Sequence, residues 1–305
     1  MTTARGISVV IPCHNTGHYI LEAVTSVLNQ PARTPFEVIV VDDGSDDPET
    51  RAALTECRIA DNVDLVRLDA RHGVQRARTI GVLRARYRYV LPLDGDDRLS
   101  TDPRLLREGT YLDRAVTILD ADPDVAFVHT LTRMFGDSEG LTISSYPCRE
   151  DLVIRKHHVP TTIVYRRAEG VSAGLYDESI RKWQDWAFAV ALLAARHRLG
   201  TVNRIGFVDG PYVHYRIHAR TNRISTSEVS ESAMTYRVVN ANLDYFRHHY
   251  GDHSAEHIAN QVHHAKPSRL VDLLHMAHHD LGQALAVSHE RDADLTSHLH
   301  ELGIP

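Results

Sequence analysis

The feature that most constrains the fold is an alternation of two hydrophobic periodicities along residues 6–92. Residues 7–11 and 36–41 are short, rich in β-branched side chains and almost wholly apolar, which is typical of strands covered on both faces. Between them, apolar side chains recur at helical spacing over residues 19–28, and Pro31 follows that segment. The pattern therefore predicts strand, helix and strand in strict order.

The same alternation continues to residue 93. It predicts a helix over 48–57, a strand over 63–68, a helix over 74–86 and a strand over 89–93. Strands that alternate with helices are joined by right-handed crossovers, which place the strands side by side in a parallel arrangement. We therefore predict an α/β fold with a Rossmann-like, mostly parallel sheet that is flanked by helices.

The pattern is looser after residue 97. Four shorter stretches are assigned by periodicity, namely helices over 111–119 and 185–195 and strands over 125–132 and 161–166. From about residue 228 the chain becomes helical and polar, and 12 of its 21 histidines lie from His248 onward. This change of composition predicts an α/β domain over residues 1–225 and a helical C-terminal extension over 226–305.

Charge and cysteine content argue against several classes of protein. The chain of 305 residues has a net charge of −6 with histidine neutral, so no basic face indicates a nucleic-acid partner. No apolar run is long enough to span a bilayer, and no signal-type apolar segment follows Met1. The three cysteines, Cys13, Cys57 and Cys148, have neither metal-ligand spacing nor a disulfide framework. We expect a soluble protein in a reducing, cytoplasmic setting.

Three of the predicted strands end in polar residues. Residues 12–15 are Pro-Cys-His-Asn, residues 42–47 are Asp-Asp-Gly-Ser-Asp-Asp, and residues 94–97 are Asp-Gly-Asp-Asp. Ligands of open α/β sheets bind outside the carboxyl ends of the strands. We therefore expect these side chains to meet at one edge of the sheet and to form a ligand site there.

Residues 94–97 concentrate three carboxylates after a buried strand. A divalent cation such as Mg²⁺ or Mn²⁺ relieves the repulsion among them, because such a cation takes oxygen ligands together with substrate phosphates. The alternative is an acidic turn, in which Asp and Gly serve turn geometry and solubility. The polar ends of the two other strands favour the cation site.

Residues 42–45 offer a second kind of interaction. One carboxylate there can accept a hydrogen bond from a nucleobase, and Gly44 permits close approach of the backbone. Ser45, Asp46 or Asp47 can instead cap the next helix. The two roles are compatible, because different residues would perform them.

The helix predicted to begin near Val74 carries Arg76 and Arg78 in its first turn. Arginine makes charge-assisted, bidentate contacts with a diphosphate. A solvated helix face is the competing interpretation, and for Arg76 it is at least as strong.

Two further candidates lie later in the chain. Asp185 stands at the start of an apolar helix, where backbone N–H groups favour the ionised carboxylate and keep it ready to accept a proton. The alternative for Asp185 is a plain N-cap aspartate. His218 ends the stretch 215–218 (Tyr-Arg-Ile-His), which we expect to be extended. It can supply a nitrogen ligand to the cation, although a lone histidine is more often structural or exposed.

Taken together, these residues resemble the inverting family 2 glycosyltransferases of the GT-A fold. The resemblance covers roughly residues 6–220 and depends on the order of several signatures. They are Ser-Val-Val-Ile-Pro at 8–12 with Asn15, Ser-Val-Leu-Asn-Gln at 26–30, Val-Val-Asp-Asp-Gly-Ser at 40–45, Gly73 with Ala77 and Arg78, and Leu-Asp-Gly-Asp-Asp at 93–97. Thr79 stands where the family commonly has asparagine, and Gln184 stands where it usually has glutamate.

The resemblance implies a role for each matching residue. Asp185 would be the general base, and Asp96 and His218 would bind the cation, Mn²⁺ or Mg²⁺. Asp43 would accept a hydrogen bond from the nucleobase, and Asp94 would bind the ribose or the sugar of the donor. The implied donor site comprises Pro12, His14, Asn15, Asp42, Asp43, Gly73, Arg78, Asp94 and Gly95.

The implied activity is metal-dependent, inverting transfer of a sugar from a nucleotide diphosphate sugar, with a UDP-sugar as the first guess. The acceptor hydroxyl would belong to a glycan, a lipid-linked sugar or a small molecule. Processive members of the family carry a Gln-x-x-Arg-Trp motif and membrane helices, and the sequence shows neither, so we expect non-processive transfer. A sugar nucleotidyltransferase, or a nucleotide-sugar-binding protein without turnover, is the alternative. The C-terminal helices are a candidate contact surface for a homo-oligomer.

Overall fold

The computed structural model describes residues 4–58, 60–137, 139–142, 148–156, 159–218, 229–264, 273, 277, 280–290, 295–296 and 299. Its strands are β1 (Ala4–Cys13), β2 (Phe36–Asp42), β3 (Val63–Arg67), β4 (Tyr87–Pro92), β5 (Arg98–Leu99), β6 (Val125–Gly136), β7 (Gly140–Thr142), β8 (Val164–Arg166) and β9 (Arg204–Ile217). Its helices are α1 (Tyr19–Leu28), α2 (Pro48–Cys57), α3 (Val74–Arg84), α4 (Pro103–Leu106), α5 (Tyr111–Ala121), α6 (Glu150–Val153), α7 (Arg167–Ser172), α8 (Gln184–Arg198), α9 (Glu231–Ala241), α10 (Leu243–Tyr250), α11 (Ala255–His264) and α12 (Leu281–Glu290).

The strands form one sheet in the order β3-β2-β1-β4-β8-β6-β9-β5, with β7 paired to β6. Parallel pairing joins β1 to β2 and β4, β2 to β3, and β6 to β9. β8 runs antiparallel to both of its neighbours, and the short strands β5 and β7 also pair antiparallel. The predicted α/β fold with a mostly parallel sheet is confirmed.

The register of the parallel strands brings their carboxyl ends to one edge of the sheet. Cys13 at the end of β1 pairs with Asp42 at the end of β2, and Val10 pairs with Pro92 at the end of β4. Each of these strands is followed directly by one of the polar segments. The edge therefore collects the candidate ligand-binding residues, as the order of strands and helices predicts.

Helices cover both faces of this sheet. Val9 and Ile11 of β1 pack into a hydrophobic cluster with residues of α1 and α5, whereas Val10 packs into a second cluster with residues of α3 and α8. This alternation explains why the strand is apolar at every position. α3 lies especially close to β1, because a Cβ on Gly81 would be 2.3 Å from Cγ1 of Val10.

Several elements differ in extent from the sequence prediction, β8 and β9 among them. β8 begins at Val164 and has only three residues, and β9 is a strand of 14 residues of which only the end was expected to be extended. Gly210 and Pro211 interrupt the hydrophobic alternation inside β9. The strand forms nevertheless, because it pairs with β6 over most of its length.

The C-terminal helices α9, α10 and α11 share a hydrophobic cluster with α8. Val238, Phe246 and Ile258 are fully or almost fully buried in the same cluster as Trp186. The predicted boundary between residues 225 and 226 lies outside the described residues and stays a prediction. Among the helices that the structure describes, none has both the length and the apolar character needed to cross a membrane.

Candidate active site

The loops after β1 and β2 are held together by the side chain of Asn15. Its φ of 50° is left-handed, a conformation in which asparagine is enriched. Its Oδ1 accepts hydrogen bonds from the backbone N–H groups of Asp46 (3.1 Å) and Asp47 (3.2 Å), and its Nδ2 donates to the Asp46 carboxylate at 2.7 Å. Nδ1 of His14 lies 2.8 Å from the backbone carbonyl oxygen of Asp43. His14 and Asn15, both predicted at the donor site, therefore position the loop that follows β2.

Asp43 is 3% exposed, and its two carboxylate oxygens accept hydrogen bonds from the backbone N–H groups of His72 and Gly73, each at 2.7 Å. These bonds tie the end of β2 to the start of α3, where Gly73 is the N-cap with a φ of 104°. Each carboxylate oxygen has a second lone pair, so the site still has capacity for another donor. The hydrogen bond from Asp43 to a nucleobase stays a prediction.

Asp42 is equally buried and also has protein partners. Its Oδ1 accepts a hydrogen bond from the backbone N–H of Ser45 at 2.9 Å, and its Oδ2 lies 3.7 Å from Nε of Arg67. The N-cap of α2 is Asp47, whose carboxylate accepts a hydrogen bond from the backbone N–H of Thr50 at 2.8 Å. Helix capping and the predicted ligand contacts therefore fall on different residues of this loop.

Residues 94–97, here called the acidic loop, pass close to the end of β1. A Cβ on Gly95 would be 2.8 Å from the carbonyl oxygen of Pro12, so a larger residue would displace the backbone. Pro12 and Gly95 are both predicted at the donor site. In the structure they form the close contact that sets the position of the acidic loop.

Asp96 and Asp97 of the acidic loop have different partners. Oδ2 of Asp96 lies 3.0 Å from Nε2 of His218, and Asp97 accepts a hydrogen bond from the backbone N–H of Arg216 at 2.8 Å. Burial raises the pKa of Asp96, and the charge of Asp94 adds to this effect. Burial also raises the pKa of Asp97 well above its usual value, with further contributions from the two neighbouring carboxylates. The loop is therefore a place where added positive charge is stabilising.

The pair formed by Asp96 and His218 fits a Mg²⁺ or Mn²⁺ ion. A carboxylate oxygen and an imidazole nitrogen are both groups that would bind a divalent cation. The observed separation of Oδ2 and Nε2 is 3.0 Å. Within the described part of the chain, no group of three or more His, Cys, Asp or Glu side chains could hold a metal by itself. Donor phosphate oxygens and water would therefore have to complete the coordination shell.

Arg216 is a residue of this site that the sequence prediction misses. Its Nε donates to the backbone carbonyl oxygen of Asp96 at 2.9 Å, and its Nη2 donates to Glu22 of α1 at 2.6 Å. Its guanidinium carbon lies 4.2 Å from the ring centre of Tyr19 and 4.3 Å from that of Phe135. Arg216 thus connects β9, the acidic loop and α1. The one signal in the sequence was its place two residues before a candidate metal ligand.

Arg78 joins the acidic loop to the start of α8. Its Nη2 donates to Asp94, its Nη1 lies 3.3 Å from Oε1 of Gln184, and its guanidinium lies 5.7 Å from the ring centre of Tyr176. Burial opposes the charged form of Arg78, but Asp94, Tyr176 and Asp185 outweigh burial and its pKa is raised. The predicted donor residue Arg78 is therefore a fixed, buried cation between two parts of the site.

Arg76 takes the other role considered for the first turn of α3. Its side chain is 52% exposed, and its Nη1 lies 3.5 Å from Oε1 of Glu178. This is the solvated helix face. Arg78, and not Arg76, is therefore the arginine that contacts the acidic loop.

Asp185 lies in the first turn of α8, and the residue that caps this helix is Trp183. The alternative in which Asp185 is the N-cap is therefore wrong. Oδ1 of Asp185 accepts a hydrogen bond from the backbone N–H of Trp186 at 2.9 Å. Trp183 has a φ of 63°, which is uncommon for a residue other than glycine. The partly buried carboxylate of Asp185 is close enough to Arg78 to help stabilise that cation.

The loops after β1 and β2, the acidic loop and the start of α8 thus form one site at the edge of the sheet. The sequence model of glycosyl transferase family 2 matches residues 8–167, more than half of the chain. The chain belongs to glycosyl transferase family 2. The matched residues of this transferase include the acidic loop and Arg78, whereas Asp185 and His218 follow the matched region.

The glycosyltransferase is similar to proteins of polysaccharide and teichoic acid biosynthesis. It is 29% identical over 214 residues to the succinoglycan biosynthesis protein ExoO of Rhizobium meliloti (strain 1021). The aligned region covers 66% of this chain and 60% of ExoO. It is 24% identical over 239 residues to the minor teichoic acid biosynthesis protein GgaA of Bacillus subtilis (strain 168). The aligned region covers 75% of this chain and 51% of GgaA. The chain therefore spans less than two thirds of the length of each relative.

The fold of the glycosyltransferase is similar to that of S. aureus TarS. A TarS fragment, residues 1–349 in complex with UDP-GlcNAc, superposes with a TM-score of 0.64 at 20% identity, covering 86% of this chain and 72% of the fragment. A longer TarS structure gives a TM-score of 0.59 at 19% identity, covering 89% of this chain and 43% of TarS. The similarity confirms the predicted GT-A-like fold, a mostly parallel curled sheet flanked by helices.

Proposed function

We propose that this glycosyltransferase is metal-dependent and inverting, and that it moves a sugar from a nucleotide diphosphate sugar to an acceptor hydroxyl. The observation that carries the proposal is the pair of contacts made by Arg78, which joins Asp94 to Gln184, the residue before Asp185. One buried cation thus connects the donor side of the site to the candidate base. Direct transfer requires that a donor and an acceptor be held together in this way.

The donor side of the site is formed by the ends of β1, β2 and β4 and by the start of α3. Asp43 would accept a hydrogen bond from the nucleobase, and Asp94 would accept one from a hydroxyl of the ribose or the sugar. Arg78 would place its positive charge near the diphosphate. A UDP-sugar is the first donor to test, because a protein of similar fold, TarS, has been solved with UDP-GlcNAc.

Asp96 and His218 would hold the divalent cation, Mn²⁺ or Mg²⁺. When bound, the cation would stabilise the negative charge that grows on the departing diphosphate. The contact between Arg216 and the backbone of Asp96 would keep this carboxylate in place. Burial and the nearby charge of Asp94, which together raise the pKa of Asp96, support this assignment.

Asp185 would remove the proton from the acceptor hydroxyl as that oxygen attacks the anomeric carbon. The N-terminal turn of α8 favours the ionised carboxylate, and the backbone N–H of Trp186 orients it. Attack from the side opposite the departing diphosphate inverts the configuration of the anomeric carbon.

The relatives ExoO and GgaA indicate a class of acceptor. Their names refer to succinoglycan biosynthesis and to minor teichoic acid biosynthesis. We propose a glycan or a lipid-linked glycan as the acceptor, and we expect one sugar to be added in each encounter. Mass spectrometry of the earliest products tests this point, because processive transfer would instead give long products before most acceptors are used.

The substitution Asp185→Asn tests the assignment of the base. Asparagine keeps the side-chain oxygen that accepts from the backbone N–H of Trp186, so the melting temperature and the donor affinity should stay close to those of the wild type. The rate of transfer should fall by about 10²-fold or more, because the amide cannot take the acceptor proton. Transfer rate, donor affinity and melting temperature should be measured on one preparation.

Glu178→Gln is the matched control for this experiment. Glu178 is 54% exposed, pairs with the exposed Arg76, and undergoes the same loss of charge. Its transfer rate should match that of the wild type. Near-normal transfer by Asp185→Asn would show that another group is the base, and donor binding without transfer by the wild type would favour the binding protein without turnover. NMR of the product gives the anomeric configuration.

A further inference from the structure

A buried ammonium group connects the C-terminal helices to the active-site side of the molecule. Lys156 follows α6 and is 1% exposed. Its Nζ lies 3.4 Å from Oε2 of Glu231 in α9 and 3.5 Å from Nδ1 of His263 in α11. The other carboxylate oxygen of Glu231 lies 3.1 Å from Nζ of Lys182. Glu231 therefore bridges two lysines that lie outside the C-terminal helices.

The same ammonium group contacts the residue that begins α8. Nζ of Lys156 lies 4.9 Å from the ring centre of Trp183, within the range of a cation–π interaction. Trp183 adopts its left-handed conformation directly before Gln184 and Asp185. Such a conformation is unfavourable for a large side chain, so the surroundings of the residue must hold it.

We propose that Glu231 is a positioning residue for glycosyl transfer, acting on the start of α8 through Lys156, Lys182 and Trp183. By neutralising the two lysines, Glu231 keeps the ammonium of Lys156 under the indole ring, and the ring keeps the first turn of α8 in its observed direction. That direction sets where the Asp185 carboxylate points. The proposal rests on the proposed role of Asp185 as the base.

The charges explain why this effect depends on Glu231. The Lys156 side chain is 1% exposed and the Glu231 side chain is 38% exposed, so water reaches the carboxylate but hardly reaches the ammonium group. Removing the carboxylate leaves the buried charge of Lys156 without this partner, which is more damaging than removing both groups. Burial opposes ionisation of Glu231, but the hydrogen bond and charge of Lys182 and the charge of Lys156 outweigh burial and lower its pKa. Glu231 is therefore ionised at neutral pH.

The experiment compares Glu231→Gln with Glu256→Gln, an identical change at an exposed position of α11. In Glu231→Gln we expect kcat for transfer to fall about tenfold or more, because a small displacement of a catalytic group is costly. The donor KM should stay within about twofold of the wild type, since the carboxylate of Glu231 contacts Lys156 and Lys182, which lie outside the proposed donor side. Glu256→Gln should match the wild type, and Glu231→Asp should recover part of kcat.

A double variant separates positioning from simple loss of stability. Lys156→Met with Glu231→Gln removes the buried charge together with its partner, so the melting temperature should recover relative to Glu231→Gln alone, whereas kcat should stay low because no ammonium remains beside the indole ring of Trp183. A melting temperature that falls in Glu231→Gln with unchanged kcat would overturn the proposal, as would a folded double variant whose kcat returns to the wild-type level. If Glu231→Gln does not fold, the double variant is compared with the wild type instead. A low kcat of the double variant supports the proposal, and a wild-type kcat overturns it.

Asp185→Asn belongs in the same series. An inactive Asp185→Asn beside a fully active Glu231→Gln would overturn the positioning role and leave the proposed function intact. A fully active Asp185→Asn would instead overturn the assignment of the base, on which the positioning role depends.

Discussion

At the scale of the residue, the carboxylates of the acidic loop are separated by their partners. Asp94 accepts a hydrogen bond from the buried Arg78, Asp96 faces His218, and Asp97 is 4% exposed and accepts a backbone N–H. Only the partner of Asp96 is a group that can itself bind a metal. In the proposed function, Asp96 is therefore the carboxylate of this loop whose negative charge would balance the bound cation.

We predict that EDTA abolishes transfer and that Mn²⁺ or Mg²⁺ restores it. Asp96→Asn should have the same effect as EDTA, because the amide keeps the shape of the side chain but loses the charge that balances the ion. Asp69→Asn, at a side chain that is 94% exposed, is the control and should be silent. Transfer assays over a range of added Mn²⁺ measure the effect. Full activity in EDTA would remove the cation from the mechanism.

At the scale of the element, β9 carries two of the contacts that fix the acidic loop. The backbone of Arg216 donates to Asp97, and its side chain donates to the carbonyl oxygen of Asp96 and to Glu22. His218 follows the end of the same strand. A shift of β9 along β6 would therefore move both the loop and its histidine partner.

We predict that Arg216→Lys weakens the apparent affinity for Mn²⁺. The Mn²⁺ concentration needed for the half-maximal rate of transfer should rise about tenfold. A lysine keeps the charge but cannot donate in two directions from a planar group between two rings. The tenfold change corresponds to about 1.4 kcal/mol, close to the usual loss of one hydrogen bond to a charged group.

Arg98→Lys is the control for this variant. Arg98 also lies near Glu22 and Phe135, with Nη1 3.6 Å from Oε2 of Glu22 and the guanidinium carbon 4.2 Å from the ring centre of Phe135, whereas the hydrogen bond to the backbone of Asp96 comes from Arg216. Its effect on the Mn²⁺ requirement should be smaller. Equal effects of the two variants would show that the ring cluster, and not the contact with Asp96, sets the requirement.

At the scale of the whole molecule, the described C-terminal helices are part of the core. Val239, Phe246 and Ile258 are fully buried and belong to the cluster that contains Trp186 of α8. Burying a side chain of this kind contributes about 1.5–3 kcal/mol. Loss of these three would cost about 4.5–9 kcal/mol, which is comparable to the whole stability of a typical domain, about 5–15 kcal/mol.

We predict that a chain ending at residue 228 does not fold to a stable state. The full chain should unfold in one cooperative transition, monitored by circular dichroism and by tryptophan fluorescence, because Trp186 lies in the shared core. A shortened chain with the melting temperature of the full chain would show that the C-terminal helices form a separate unit.

The sequence by itself determined the order of strands and helices from β1 to β4 and the residues that follow the strand ends. Periodicity and turn chemistry are local, so residues 6–97 contain the information that places Asp43, Asp94 and Asp96 at one edge. The family resemblance, which depends on the same short signatures, likewise needed no long-range contact.

The family resemblance named His218 and Asp185 as candidates, but only the tertiary structure decided how the distant residues of the site meet. His218 meets Asp96 across 122 residues, and Arg78 meets Gln184 across 106. These contacts depend on the pairing of β9 with β6 and on the packing of α8 against the sheet, and a local hydrophobic pattern does not specify either partner. The left-handed Trp183 and the buried Lys156 beside it have the same origin. Their conformations are unfavourable in isolation and exist because the surrounding core and its charges hold them there.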